Sequence, residues 1–99
     1  MLQSSSVVWL YGNFGPVNLS SHNTFKVTFG DVFQNTKYDN GVGFSTTTNN
    51  ESLTAKTSLA SNTTKSIDVS SLSGSQYVIF KIHDGSDKRY INVSNAWFE

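Results

Sequence analysis

The chain has no cysteine among its 99 residues, which excludes disulfides, thiolate nucleophiles and thiolate metal sites. Charge is scarce as well: seven basic and seven acidic residues cancel to zero. The longest basic run is Lys88-Arg89, so neither a nucleic acid nor an anionic membrane is an expected electrostatic partner. No apolar run is long enough to span a bilayer as a helix. Met1-Leu2-Gln3-Ser4 lacks the basic start and apolar core of a signal peptide, and Met1 fits an added start before an excised domain as well as a native one. Helical periodicity is missing too. Nowhere do apolar residues recur at three-and-four spacing over eleven or more positions, and there is a single proline, Pro16.

What fills the chain instead is Ser, Thr and Asn, at 16, 10 and 10 residues, together with seven Phe, four Tyr and two Trp. That composition describes one domain over residues 1–99 with an aromatic core and a surface of small neutral hydrogen-bonding groups. The arrangement reads as strands. Thr24 to Phe29 alternates, with Phe25, Val27 and Phe29 on one face and Thr24, Lys26 and Thr28 on the other. Gly30-Asp31 marks a bulge, with Val32-Phe33 continuing the apolar side. Tyr77 to His83 is an almost unbroken β-branched and aromatic run, the pattern of a strand buried on both faces. Ser66 to Val69 and Tyr90 to Val93 alternate on either side of it.

Shorter strands are expected at Val7 to Tyr11, Gly41 to Thr47 and Leu53 to Leu59, the last near a sheet edge. Gly12-Asn13 ends the first of these, Phe14-Gly15-Pro16 is a turn or bend, and a short strand resumes at Val17 and Leu19. Seven or eight short antiparallel strands with closely spaced turns imply an all-β sandwich of jelly-roll type. The expected core is Phe25, Val27, Phe29, Val42, Phe44, Ile67, Val69, Leu72, Val78, Phe80, Ile82, Ile91, Val93 and Trp97.

Chemistry-bearing residues are thin. The two histidines, His22 in a polar loop and His83 at the end of the central strand, have no obvious partners in sequence. Glu51 and Glu99 are the only glutamates, there is no Gly-x-Ser-x-Gly elbow, and a glycosidase carboxylate pair would have to come mainly from scattered aspartates. Catalysis is not expected. Asp84 and Asp87, flanking Gly85-Ser86 in a hairpin loop, form the candidate calcium site, because loop carboxylates and carbonyls suit that ion, but they do not match the twelve-residue calcium loop. No other cofactor is expected. Sugar binding would use aromatic faces ringed by amide and hydroxyl groups. The candidates are Trp9, Tyr11, Phe14, Tyr38 and Tyr90, and the expected ligand-binding set is Tyr38, Trp9, Tyr11 and Asn40. Tyr38 lies mid-loop among Asn35, Thr36, Asp39 and Asn40 and is the ring expected to be exposed. Four Asn-x-Ser/Thr sequons, at Asn18, Asn50, Asn62 and Asn92, carry no argument in a chain so rich in these residues.

The stretch Ile67-Asp68-Val69-Ser70-Ser71-Leu72-Ser73-Gly74-Ser75-Gln76-Tyr77-Val78-Ile79-Phe80, followed by a hairpin and a closing strand ending Ala96-Trp97-Phe98-Glu99, resembles small C-terminal β-sandwich domains of phage and prophage tail or accessory proteins, mostly from phages of Gram-positive bacteria. Val42-Gly43-Phe44-Ser45-Thr46 is similar to their middle strand. Those domains in turn look like jelly-roll carbohydrate-binding modules. The resemblance covers about half the chain and carries over no binding residue. It implies a virion or extracellular setting, and a non-catalytic accessory domain of a phage structural protein that takes part in host attachment by binding carbohydrate. The alternative it implies is an assembly or decoration domain whose partner is another virion protein.

Overall fold

A computed structural model describes residues 2–3, 9–48, 53–83 and 88–99, with the side chains of residues 2–3 and 9–11 left out of the description. Among the described residues eight strands follow one another: β1 (Leu2–Gln3), β2 (Trp9–Asn18), β3 (Thr24–Phe33), β4 (Gly41–Ser45), β5 (Thr54–Thr57), β6 (Thr64–Asp68), β7 (Ser75–His83) and β8 (Tyr90–Phe98). Among the described residues there is no helix. Two four-stranded antiparallel sheets form, in the orders β1-β8-β3-β6 and β2-β7-β4-β5.

These orders have a simple origin. The first strand pairs with the last, β2 with β7, β3 with β6, and β4 with β5. The chain is therefore one long antiparallel ribbon folded back between β4 and β5. Its successive rungs fall alternately in one sheet and the other, and the ribbon closes through β3 with β8 and β4 with β7. That rolled ribbon is the jelly roll expected from the sequence.

The core lies between the sheets. Phe25 meets Phe44 edge-on at 5.5 Å between ring centroids, and Phe29 meets Phe80 edge-on at 6.4 Å, the geometry ring quadrupoles favour. Leu19, Val27, Val42, Leu59, Ile67, Val69, Val78, Ile82 and Ile91 complete it, with Leu72 packed partly buried against it. Burying such side chains stabilises by roughly 1.5–3 kcal/mol each relative to exposure.

Three local readings are corrected. The segment from Trp9 to Asn18 is one strand with a bulge between Phe14 and Val17, not two strands around a turn. Gly15 there has φ of 121°, a value open to glycine. The bulge is tolerated because β2 is an edge strand, where a proline breaks no ladder on the open side. Trp97 is not in the core: it stands opposite Lys26 on the outer face, and Phe98, opposite Phe25, packs inward at 4.9 Å from that ring. The cause is Ser94. Thr28 pairs with Asn95 and Phe29 with Val93, so Ser94 is an extra residue in β8, and one extra residue flips the faces of everything beyond it. Val93, beside that bulge, is correspondingly 36% exposed instead of buried. The bulge read at Gly30-Asp31 is found, between Phe29 and Val32.

Candidate functional site

The outer face of the β2-β7-β4-β5 sheet is where polar and aromatic groups gather. In β7, Val78, Phe80 and Ile82 point into the core, so Ile79, Lys81 and His83 take the outer side. That side is nonetheless covered: Ile79 is 0% and Lys81 6% exposed. Part of the cover comes from β5. A Cβ at Gly41 would sit 2.6 Å from the Thr57 carbonyl oxygen and 2.7 Å from Lys56 Cε, and one at Gly43 would sit 2.8 Å from Leu53 Cβ and 3.0 Å from the Thr54 carbonyl oxygen. These two glycines, opposite Lys81 and Ile79, let the Leu53–Thr57 segment curl over the sheet.

The remaining cover is the Gln34–Asn40 loop. Its fold is set by side chains. Asn35 Oδ1 accepts the Lys37 amide at 3.1 Å, and the Asn35 carbonyl accepts the Tyr38 amide at 3.3 Å, a local turn that asparagine favours. Gln34 Nε2 donates to the Leu59 carbonyl at 3.0 Å. Asn40, 5% exposed, donates through Nδ2 to Gln34 Oε1 and to the Asn35 carbonyl, each at 3.0 Å, and accepts the His83 amide on Oδ1 at 2.8 Å. Asn40 is thus a fastener between loop and strand, occupied from within; it does not present its amide to solvent as a ligand-binding residue would.

Tyr38 is half-buried instead of freely exposed. Its ring lies flat on the His83 imidazole, 3.5 Å between centroids and 8° between planes. Lys37 Nζ is 5.2 Å from the same ring centroid. Because the imidazole fills one face at contact distance, the ammonium must approach over the other, where the ring's negative face attracts a cation. Asp39, next in the chain, accepts from Lys56 on Oδ1 and from Lys81 on Oδ2, the latter at 3.4 Å. Its carboxyl is held below the ordinary value of 3.8, chiefly by the Lys56 hydrogen bond; desolvation opposes this, and the charge of Lys56 and the hydrogen bond and charge of Lys81 add to the lowering. The partners differ in setting: the Lys81 side chain is 8% exposed, Lys56 24% and Asp39 72%.

The backbone register brings the other aromatic candidates alongside. Trp9 pairs with His83 and Tyr11 with Lys81; their side chains lie outside the described residues. So do Asp84 and Asp87, the expected calcium ligands, and among the described residues no three metal-ligating side chains cluster. Phe14 is 42% exposed on the edge strand β2, away from this group. His22, at the opposite end of the sandwich, leans on Phe98 at 5.1 Å. Tyr90 belongs to the other sheet, beside Phe33 at 5.8 Å, with the Arg89 guanidinium 5.0 Å from the Phe33 ring centroid.

Sequence reasoning picked Tyr38, with Asp39 beside it, but missed His83, Lys81, Lys56 and Lys37 as its company. The available signal was the parity of β7: once Phe80 and Ile82 are core, a lysine and a histidine share the outer face with the glycines of the neighbouring strand.

The arrangement offers an aromatic ring backed by imidazole, ammonium groups around it, and one carboxylate already engaged. Such a surface suits the binding and orientation of a polar ligand. Comparison of the chain with protein-family models, curated proteins and solved structures gave no match.

Proposed function

We propose that this domain is a non-catalytic accessory module of a phage-derived structural protein and binds host cell-surface carbohydrate. The observation that carries the binding is the Tyr38–His83 stack on the outer face of β7, with Lys37, Asp39 and Lys81 around it. A stacked aromatic pair is a rigid platform, which lowers the ordering cost of binding a pyranose, and the neighbouring polar groups can fix its orientation. The phage setting rests on the resemblance of the Ile67–Phe80 stretch and of the closing strand. The test is sedimentation of the domain with purified Gram-positive cell walls, and calorimetry with their polysaccharide fragments, for the parent chain and Tyr38→Ala. Binding that falls about tenfold or more in the variant, the effect of losing one stacking contact, is expected. Undiminished binding would move the site elsewhere, and no binding to any fragment would dismiss the reading.

A second reading, an assembly domain docking on another virion protein, draws on one feature. Phe33 is 41% exposed and lies with Tyr90 and Arg89 on the outer side of the other sheet, and aromatic and arginine side chains are the common anchors of protein interfaces. Phe33→Ser would then abolish co-assembly while leaving polysaccharide binding intact.

A further inference from the structure

We propose that the face around Tyr38 takes an acidic glycan, one whose units carry carboxylate or phosphate groups, in preference to a neutral one; this rests on the carbohydrate-binding reading above. The chain as a whole is neutral, with seven Lys and Arg residues, yet three of the seven converge here. Lys37 stands over the Tyr38 ring, and Lys56 and Lys81 both reach Asp39. Asp39 is the one acidic side chain among the described residues in this group, and its two oxygens are already shared between Lys56 and Lys81. Among the described residues, three lysines to one carboxylate leave the face with an excess of positive charge.

Elsewhere the described charges are more evenly matched. Lys26, Lys65, Lys88 and Arg89 stand against Asp31, Asp68 and Glu99 there, and Lys26 pairs with Glu99. Asp84 and Asp87, which follow His83 in the sequence, lie outside the described residues. Among the described residues the excess is therefore local to the Tyr38 face.

Burial gives it weight. Lys81 is nearly out of solvent, so its charge is less screened than a surface lysine's and extends to the ligand side of Asp39. Lys37 matters differently. It is exposed and rides on a flexible stem over the one ring face not held by His83. A neutral pyranose would have to push that ammonium aside to reach the ring. A ligand bearing a carboxylate or phosphate draws the ammonium to itself with a charge-assisted hydrogen bond and uncovers the ring in the same movement. Asp39, wedged between two lysines, shows that this surface already accommodates one anionic group.

The experiment is calorimetric titration of the 99-residue chain with short oligomers of galacturonic acid, with neutral galactose oligomers of the same length, and with poly(glycerol phosphate), each at low and at high salt. The acidic ligands are expected to bind about tenfold tighter than the neutral one, a difference of about 1.4 kcal/mol, and to lose most of that advantage at high salt. Lys37→Gln, a change on an exposed loop side chain, should remove most of the same advantage with an unchanged thermal midpoint. Equal, salt-insensitive binding of acidic and neutral oligomers would overturn the preference while leaving the carbohydrate reading standing. An acidic preference untouched by Lys37→Gln and by Lys56→Gln would place it off this face and overturn the assignment. Binding of neither class, together with no binding to whole cell walls, would remove both readings.

Discussion

Strands β3 and β7 occupy equivalent places, each central in its sheet, and they bury their side chains differently. Along the first half of β3, buried and half-exposed residues alternate strictly: Phe25, Val27 and Phe29 lie inside, and Thr24, Lys26 and Thr28 are wetted. From Val78 to Ile82, β7 is buried at every position. The two strands contribute similarly to the core, so the difference is made outside it. The outer face of β3 meets water through a polar ladder in which the Thr28 and Thr64 hydroxyls bond at 2.8 Å. The outer face of β7 is roofed by the curl of β5 and by the Gln34–Asn40 loop. A sheet needs no second cover for stability. One that has acquired it, lined with a stacked aromatic pair and three lysines, is the face to examine for function.

The sharpest way to break this contrast is Ile79→Ala. If the outer side of β7 is a second packed layer, the substitution costs about 2–4 kcal/mol, read as a shift in denaturation midpoint at constant slope. Thr28→Ala, at an outward position of β3, should cost no more than about 1 kcal/mol. Equal costs would erase the distinction.

The glycines give a second contrast. Gly43→Ala forces a Cβ against the Leu53 side chain and the Thr54 carbonyl and should destabilise by about 1–3 kcal/mol. Gly30→Ala meets only Asn92 Cβ at 3.4 Å and should be close to neutral.

Asn40→Ala strips the loop of its fastener and leaves the His83 amide without its acceptor. The expected cost is about 1–3 kcal/mol, with faster hydrogen exchange at His83 and through residues 34–40 but not in β3.

The smallest effect is expected from acid. Because the Asp39 carboxyl titrates below 3.8 in the folded chain, the stability from its lysine contacts is fully present above 3.8 and is lost as pH falls through the lower folded value. Asp39 is largely exposed, so the effect is modest. It should appear as an acid-limb shift of the Tyr38–Asn40 amides that Asp39→Asn abolishes.

The sequence carried the fold where local pattern and tertiary role agree. The alternation of Thr24 to Phe29 and the continuous run of Tyr77 to His83 each name their environment directly, and the glycine at position 30 marked a real bulge. It misled where one residue changes parity. Ser94 has the composition of any surface serine, yet its insertion in β8 turned Trp97 outward and Phe98 inward. Nor does the string Gly12 to Pro16 reveal that an edge strand can absorb it.

For the site, a lone aromatic in a polar loop was enough to single out Tyr38. Its partnership with His83 was not legible, because it depends on the loop after β3 folding onto the end of β7, with Asn40 and His83 43 residues apart. Asn40 was selected for its chemistry and proved to spend that chemistry internally. Local sequence does not distinguish an amide that faces a ligand from one that closes a loop.

The most direct test of the central claim is an amide chemical-shift titration of the domain with bacterial cell-wall polysaccharide fragments, run with and without calcium and read face by face. Saturable shifts are predicted at Lys37–Asn40 and Lys81–His83, with Thr24–Thr28 and Trp97 unmoved. Calcium dependence would point to an ion held by Asp84 and Asp87. Shifts confined to the β3 face, or none with any fragment, would contradict the assignment of the roofed face of β7 as the binding surface.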